Sequence, residues 1–184
     1  MKHLLVFAFA AAGAASLAAA AIAQQIDSTP FPMNPKPDLS SMQFIVGTWH
    51  CSSKSARRPT PTLATQTTTM DATGYWLVTK TKSQATSWNP HPAESVDQIT
   101  YDVQNKRWVD VYTDNQGGYD ISSSTGWNGN TMTWRDLTPS VTGDITSTSA
   151  TKFTKVGDTK TTSSNTFTTK KGRTVGVTGS CSKA

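Results

Sequence analysis

The chain has 184 residues, 35% of them hydrophobic and 16% charged, with a formal net charge of +5. That is one domain's worth of sequence, and its mild basicity favours solubility and weak attraction to anionic surfaces. It argues against nucleic acid as a partner: the only tight basic clusters, Arg57-Arg58 and Lys170-Lys171-Gly172-Arg173, sit beside turn signals and read as solvated loop ends.

Lys2 and His3 open the chain, and residues 4–23 carry no charge. The run ends in Ala21-Ile22-Ala23, a small-x-small pattern that a signal peptidase cuts, followed by the polar Gln24-Gln25. A retained transmembrane anchor is the alternative for an apolar run this long. Its alanine richness and the absence of charge after it favour cleavage. The expectation is therefore a signal peptide over residues 1–23 and a secreted or periplasmic protein with no stable membrane insertion after cleavage. Residues 24–39 hold Pro30, Pro32, Pro35 and Pro37 without periodic apolar residues. They read as a Pro-rich extended leader, because proline cannot donate to a helix or a ladder.

From residue 40 to residue 184 nearly every segment has strand character: short runs rich in Thr, Val, Ile and aromatics, separated by Gly, Asn and Asp. A short helical turn fits near Ser40-Ser41-Met42. The first strand is expected over residues 44–52, then a hairpin over 64–71 and 75–83 around Ala72-Thr73-Gly74. After a proline-bearing loop, 96–102 and 107–114 pair across residues 103–106. Asn115-Gln116-Gly117-Gly118 leads into 119–125, and Asn128-Gly129-Asn130 is a tight-turn signal before 131–137. Three Thr/Ser-rich runs, 145–156, 159–169 and 173–182, complete the pattern. About ten consecutive strands with short connections predict an all-β, antiparallel up-and-down meander, which closes into a barrel because closure removes both exposed edges. A two-sheet sandwich is the rival.

The two cysteines, Cys51 and Cys181, lie on the first and last of these strands. An exported chain with an even count is expected to bridge them, and a bridge needs Cα atoms within roughly 7 Å. First and last strands must then be neighbours, as in a closed meander. Metal binding is not expected, since two distant cysteines and two histidines beyond the signal peptide are too few ligands.

Alternation places Ile45, Gly47, Trp49 and Cys51 on one face of the first strand, with His50 on the other. Trp49 is a structural core residue on this reading, and Gly47 leaves room for a neighbour to pack closely. The run Phe44-Ile45-Val46-Gly47-Thr48-Trp49 resembles the Gly-x-Trp opening of the lipocalins and their calycin relatives. Thr100-Tyr101-Asp102 with Lys106-Arg107-Trp108, and residues 126–134 from Gly126-Trp127 to Thr133-Trp134, are similar to bacterial lipocalin-like domains of unassigned activity. The resemblance, from about Phe44 to Cys181, implies a barrel with an internal cavity and a Trp that plugs its closed end; it implies no particular ligand. Haem-holding relatives of nitrobindin type bind through a late histidine, and this chain has none after His91. No haem or other cofactor is expected.

No catalytic residue is assigned. Gly-x-Ser-x-Gly, His-Glu-x-x-His and phosphate-loop patterns are absent, and hydroxyls without a positioned base are poor nucleophiles. Asp110 alternates with Trp108 and Tyr112; facing inward it would be a general acid or base, but the neighbouring Val109 and Val111 favour the opposite face as the inner one. Asp102 and Asp114 read as turn residues. Trp88 and His91 lie in the proline-bearing loop 88–94, a candidate lid over the barrel mouth. The leading function is an exported barrel binding a small apolar or amphipathic molecule, with contacts from Trp76, Leu77, Trp88, His91, Trp108, Tyr112, Met132 and Trp134. The alternatives are a cyclase- or isomerase-type barrel enzyme using Asp110 or His91, and a filled barrel serving as an interaction module. The oligomeric state is not expressed in the sequence.

Overall fold

The computed structural model describes residues 33–137, 145–148 and 150–184; the expected signal peptide and the first part of the leader lie outside the described residues. Among the described residues, no helix is long and apolar enough to cross a membrane. A 3-10 helix over Ser40–Ile45 precedes β1 (Gly47–Ser55), β2 (Thr62–Met70), β3 (Leu77–Ser83), β4 (Glu94–Asp102), β5 (Arg107–Asp114) and β6 (Tyr119–Ser124). Then follow β7 (Trp127–Asn128), β8 (Thr131–Asp136), β9 (Ile145–Thr148), β10 (Thr151–Lys155), β11 (Lys160–Thr169) and β12 (Thr174–Lys183).

These segments form a closed antiparallel barrel of ten strands. β6 and β7 are one run broken at Gly126, whose φ of +107° is a left-handed conformation that side-chain-bearing residues rarely adopt; both halves pair with β8. β9 and β10 likewise pair with successive parts of β11. Around the ring each strand pairs with its neighbour in sequence, and β12 returns to β1. Cys51 and Cys181 stand directly opposite each other in that last pairing, with Cα atoms 4.1 Å apart, and form a disulfide. The meander, the closure and the bridge all agree with the expectation from the sequence.

Several element boundaries differ from that expectation, and two of them have a clear local cause. Phe44 and Ile45 belong to the 3-10 helix, and the first strand begins at Gly47. Gly47 has a φ of +119°, and a Cβ there would lie 3.1 Å from the Lys183 side chain, so helix and strand meet at a corner that only glycine fits. The corner turns Met42 and Ile45 under the barrel, where both are buried. The third strand starts at Leu77 rather than residue 75, because the Asp71 carboxylate accepts the backbone N–H groups of Tyr75 and Trp76, each at 3.0 Å, and holds them in the turn.

The core fills one end of the barrel. Leu39, Met42 and Ile45 come from the segment before β1, and Leu77, Ile99, Trp108, Met132 and Trp134 from the strands. Phe44, Trp127 and Phe153 pack against this cluster with ring centroids 5.8–6.3 Å apart. Trp49 is 3% exposed, and its indole Nε1–H donates to the Ile45 carbonyl at 2.7 Å, so ring and polar handle are both satisfied. The other end, where β1, β3, β5 and β11 finish, is the mouth.

Two outcomes follow from this packing. Trp49→Ala should cost roughly 3–5 kcal/mol on denaturant unfolding, as for other buried aromatic truncations; a loss under about 1 kcal/mol would show that the indole does not hold the closed end. Thiol titration of denatured, unreduced protein should find no free thiol. Reduction should lower stability by about 5 kcal/mol if loop entropy governs a bridge spanning 130 residues.

Candidate functional site

Alternation along the strands selects what the barrel interior contains. On β5 the inward residues are Trp108, Asp110 and Tyr112, paired across β4 with Tyr101, Ile99 and Asp97. On the other side β5 pairs with β6, so that Asp110 faces Ser122 and Tyr112 faces Asp120. β8 continues the wall, with Asp136 opposite Ser122. Asp97, Asp110, Asp120 and Asp136 therefore stand on one face of four adjacent strands. Successive members sit at diagonal positions, a spacing of roughly 7–8 Å in antiparallel sheets.

This corrects the assignment of Val109 and Val111 to the interior. The choice is decided by Trp108, which is 5% exposed in the closed-end core. Trp108 and Tyr112 together present more apolar surface than the two valines, Trp108 packs on Tyr101 across the strand pair, and the strand orients accordingly. Asp110 is carried inward with it.

Below this acid wall lies a cavity of about 360 Å³. Its floor is Met42, Ile45 and Trp49, and Ile99, Trp134 and Phe153 supply further apolar lining. Asp97 and Asp110 line it together with Gln66, Thr68, Thr79, Thr161 and Ser163, and among the described residues no lysine, arginine or histidine faces it. The Thr68 and Thr79 hydroxyls are hydrogen-bonded to each other at 2.8 Å. A second, smaller pocket of about 220 Å³ opens at the mouth between Arg57, Arg58, Trp88 and Phe167. There the Arg58 guanidinium lies 4.4 Å from the centre of the Trp88 ring.

The electrostatics of the wall follow from burial without a counterion. Burial pushes the Asp97 carboxyl up to about 7 from an ordinary 3.8. Asp110 is raised well above the usual range, first by burial and then by the charges of Asp97 and Asp120. Its Oδ1 is buried without a hydrogen-bond partner, as is Oδ1 of Asp120. Asp120 is raised by burial, and Asp136 by burial and by the charge of Asp120. Asp114, one step nearer the mouth, behaves differently. Burial raises it, but the Gly118 and Gln116 N–H groups and the Tyr112 hydroxyl outweigh that and hold it below its ordinary value. Among the described residues, no three His, Cys, Asp or Glu side chains are grouped to hold a metal ion.

The eight candidate ligand contacts separate into distinct places. Trp134 lines the main cavity, and Trp88 lines the mouth pocket. Leu77, Trp108 and Met132 are buried in the closed-end core. Tyr112 lies on the interior wall, donating to Asp114 Oδ2 at 2.9 Å. Trp76 is half-buried just before β3, His91 is exposed in its loop, and neither lines either cavity. The residues that sequence reasoning passed over are Asp97, Asp120 and Asp136 with the facing hydroxyls. A signal for them exists in retrospect: Trp108-x-Asp110 and Trp134-x-Asp136 each place an aspartate on the face of a buried tryptophan.

No family model matches the chain, and no curated protein is significantly similar to it. Among solved structures, the S-type phycobiliprotein lyase of Guillardia theta is similar at a TM-score of 0.53 and 9% sequence identity, covering 80% of this chain and 94% of that one. The likeness is one of fold alone, a closed antiparallel barrel.

A raised carboxyl makes folding favour the protonated form. Folded Asp97 keeps its proton up to about pH 7, whereas unfolded it loses it near 3.8, so the empty barrel should lose stability as pH rises between those values. Asp97→Asn should therefore stabilise the protein by roughly 1–3 kcal/mol at about pH 8 and have little effect near pH 4. Thermal melts of both proteins across that range check the sign; equal destabilisation at both ends would show that Asp97 is not buried as a neutral acid.

Proposed function

We propose that this protein is an exported carrier that binds a small, partly apolar molecule inside the barrel without transforming it. The observation that supports this most is the cavity itself: about 360 Å³ above an apolar floor, with polar groups on its walls. Pockets that bury small ligands combine apolar contact area with a few convergent polar groups in this way. An unfilled interior counts against a barrel that acts only as an interaction module. Export rests on the cleavage pattern after residue 23, and the Cys51–Cys181 disulfide is compatible with an oxidising compartment. On this reading residues 1–23 are the signal peptide, 24–39 the leader and 40–184 the barrel domain.

A second reading, an enzyme of cyclase or isomerase type, is favoured by one observation. Asp97 and Asp110 are buried carboxyls in the cavity wall, and a group raised to about 7 is suited to moving a proton near neutrality. His91 is exposed in its loop and lines neither cavity, so any such chemistry would rest on the aspartates.

Trp49 and Trp134 line the cavity and report on its occupancy. Titration with fatty acids, isoprenoids and aromatic compounds should quench or blue-shift tryptophan emission for at least one class. Recovery of the bound compound unchanged separates carriage from catalysis. If none binds more tightly than about millimolar, an affinity of only about −4 kcal/mol, the carrier reading fails.

A further inference from the structure

We propose that the barrel is selective for organic cations: a basic nitrogen on the ligand docks against Asp97 and Asp110, while the apolar part lies over Ile45, Trp49, Trp134 and Phe153. This rests on the reading of the cavity as a small-molecule site and goes further by naming the chemical class it takes.

Three observations lead to it. Asp110 is buried, lines the cavity, and leaves its Oδ1 without a hydrogen-bond partner. Such an atom costs free energy unless a donor arrives, and a charged donor satisfies a carboxylate about twice as strongly as a neutral one. Second, the cavity lining offers acids, hydroxyls and the Gln66 carboxamide but, among the described residues, no lysine, arginine or histidine, so no cationic side chain there pairs with the acids. The groups facing Asp110 are Asp97 and Ile99 from β4, and Ser122 and Asp120 from β6; Tyr112, Asp114 and Asp136 lie further along the wall. None is cationic. Third, the acids are spread diagonally across adjacent strands and no three ligating side chains come together among the described residues, which suits one extended organic cation better than a metal ion.

The rest of the chamber sets the shape. About 360 Å³ accommodates a compact arylalkyl or short alkyl body, and Trp49 and Trp134 offer aromatic surface to it. A ligand with a carboxylate would instead bring its negative charge into a chamber that, among the described residues, has no cationic side chain to pair with it. The arginines of the mouth pocket do not line this cavity, and Arg58 is stacked on Trp88.

The experiment compares three probes of one size by calorimetry and tryptophan emission at neutral pH: 2-phenylethylamine, 2-phenylethanol and 3-phenylpropionate. The amine should bind at least about tenfold more tightly than the alcohol, and the carboxylate least of all. Asp110→Asn and Asp97→Asn should each weaken the amine by about tenfold or more while leaving the alcohol within about twofold. Two variants guard against one that fails to fold, and the probe comparison on the natural protein needs neither. Equal binding of amine and alcohol, tighter binding of the carboxylate, or unchanged amine affinity in both variants would overturn the proposal while leaving the cavity a binding site. Failure of all three probes to bind below about millimolar would overturn the proposal as well; if the broader ligand panel also fails, the binding reading falls with it.

Discussion

The pairing of β12 with β1 is the constraint from which the rest of this structure follows. Without it the ten strands would be an open, strongly twisted sheet with two unpaired edges, a form that invites edge-to-edge association. With it, the residues on one face of every strand become an interior. The Cys51–Cys181 bridge lies within this seam, its cysteines directly opposite each other at a Cα separation of 4.1 Å. A disulfide between positions 130 residues apart reduces the conformational freedom of the unfolded chain most where the fold needs its two ends to meet.

Closure also creates the chemistry. On an open sheet Asp97, Asp110, Asp120 and Asp136 would be solvated carboxylates of ordinary acidity. On the barrel wall burial raises all four, and the charges of Asp97 and Asp120 add to it at Asp110, as that of Asp120 does at the more exposed Asp136. Aspartates within the same fold that keep backbone partners go the other way: Asp71 and Asp102 at turns are held below the ordinary value, Asp71 first by the Thr73 hydroxyl and Asp102 first by the Asn105 N–H. Position relative to the seam and the mouth, not residue type, separates the two groups.

The division of the barrel into a packed end and an open chamber comes from the segment before β1. Leu39, Met42 and Ile45 are delivered under the strands by the 3-10 helix and the corner at Gly47, and Trp49 is tied to Ile45 by its indole hydrogen bond. The plug consumes the apolar side chains of Leu77, Trp108 and Met132, which is why these large residues support the chamber from below rather than line it. The chamber is left with hydroxyls, the Gln66 carboxamide, two acids, a few aromatic faces and the aliphatic side chains of Met42, Ile45 and Ile99.

The fold was legible because it is written in local chemistry. Strand-length runs of Thr, Val and aromatics, turn residues at the expected intervals, and two cysteines on the first and last runs specify a meander whose ends meet, and the closed barrel agrees with each. The site was legible only in part. For Asp110 the strand pattern offers two faces, Trp108 with Tyr112 or Val109 with Val111, and a period of two cannot say which is inner. The sequence by itself therefore determined the strand order, the turns, the bridge and the presence of a tryptophan at the closed end. The tertiary structure alone decided which face turned inward, because that depends on the burial of Trp108 against Tyr101, whose ring lies 5.5 Å away from across the strand pair, and on the plug beneath it. It alone could bring aspartates from four separate strands onto one wall, since no local pattern records what the neighbouring strands place beside a residue.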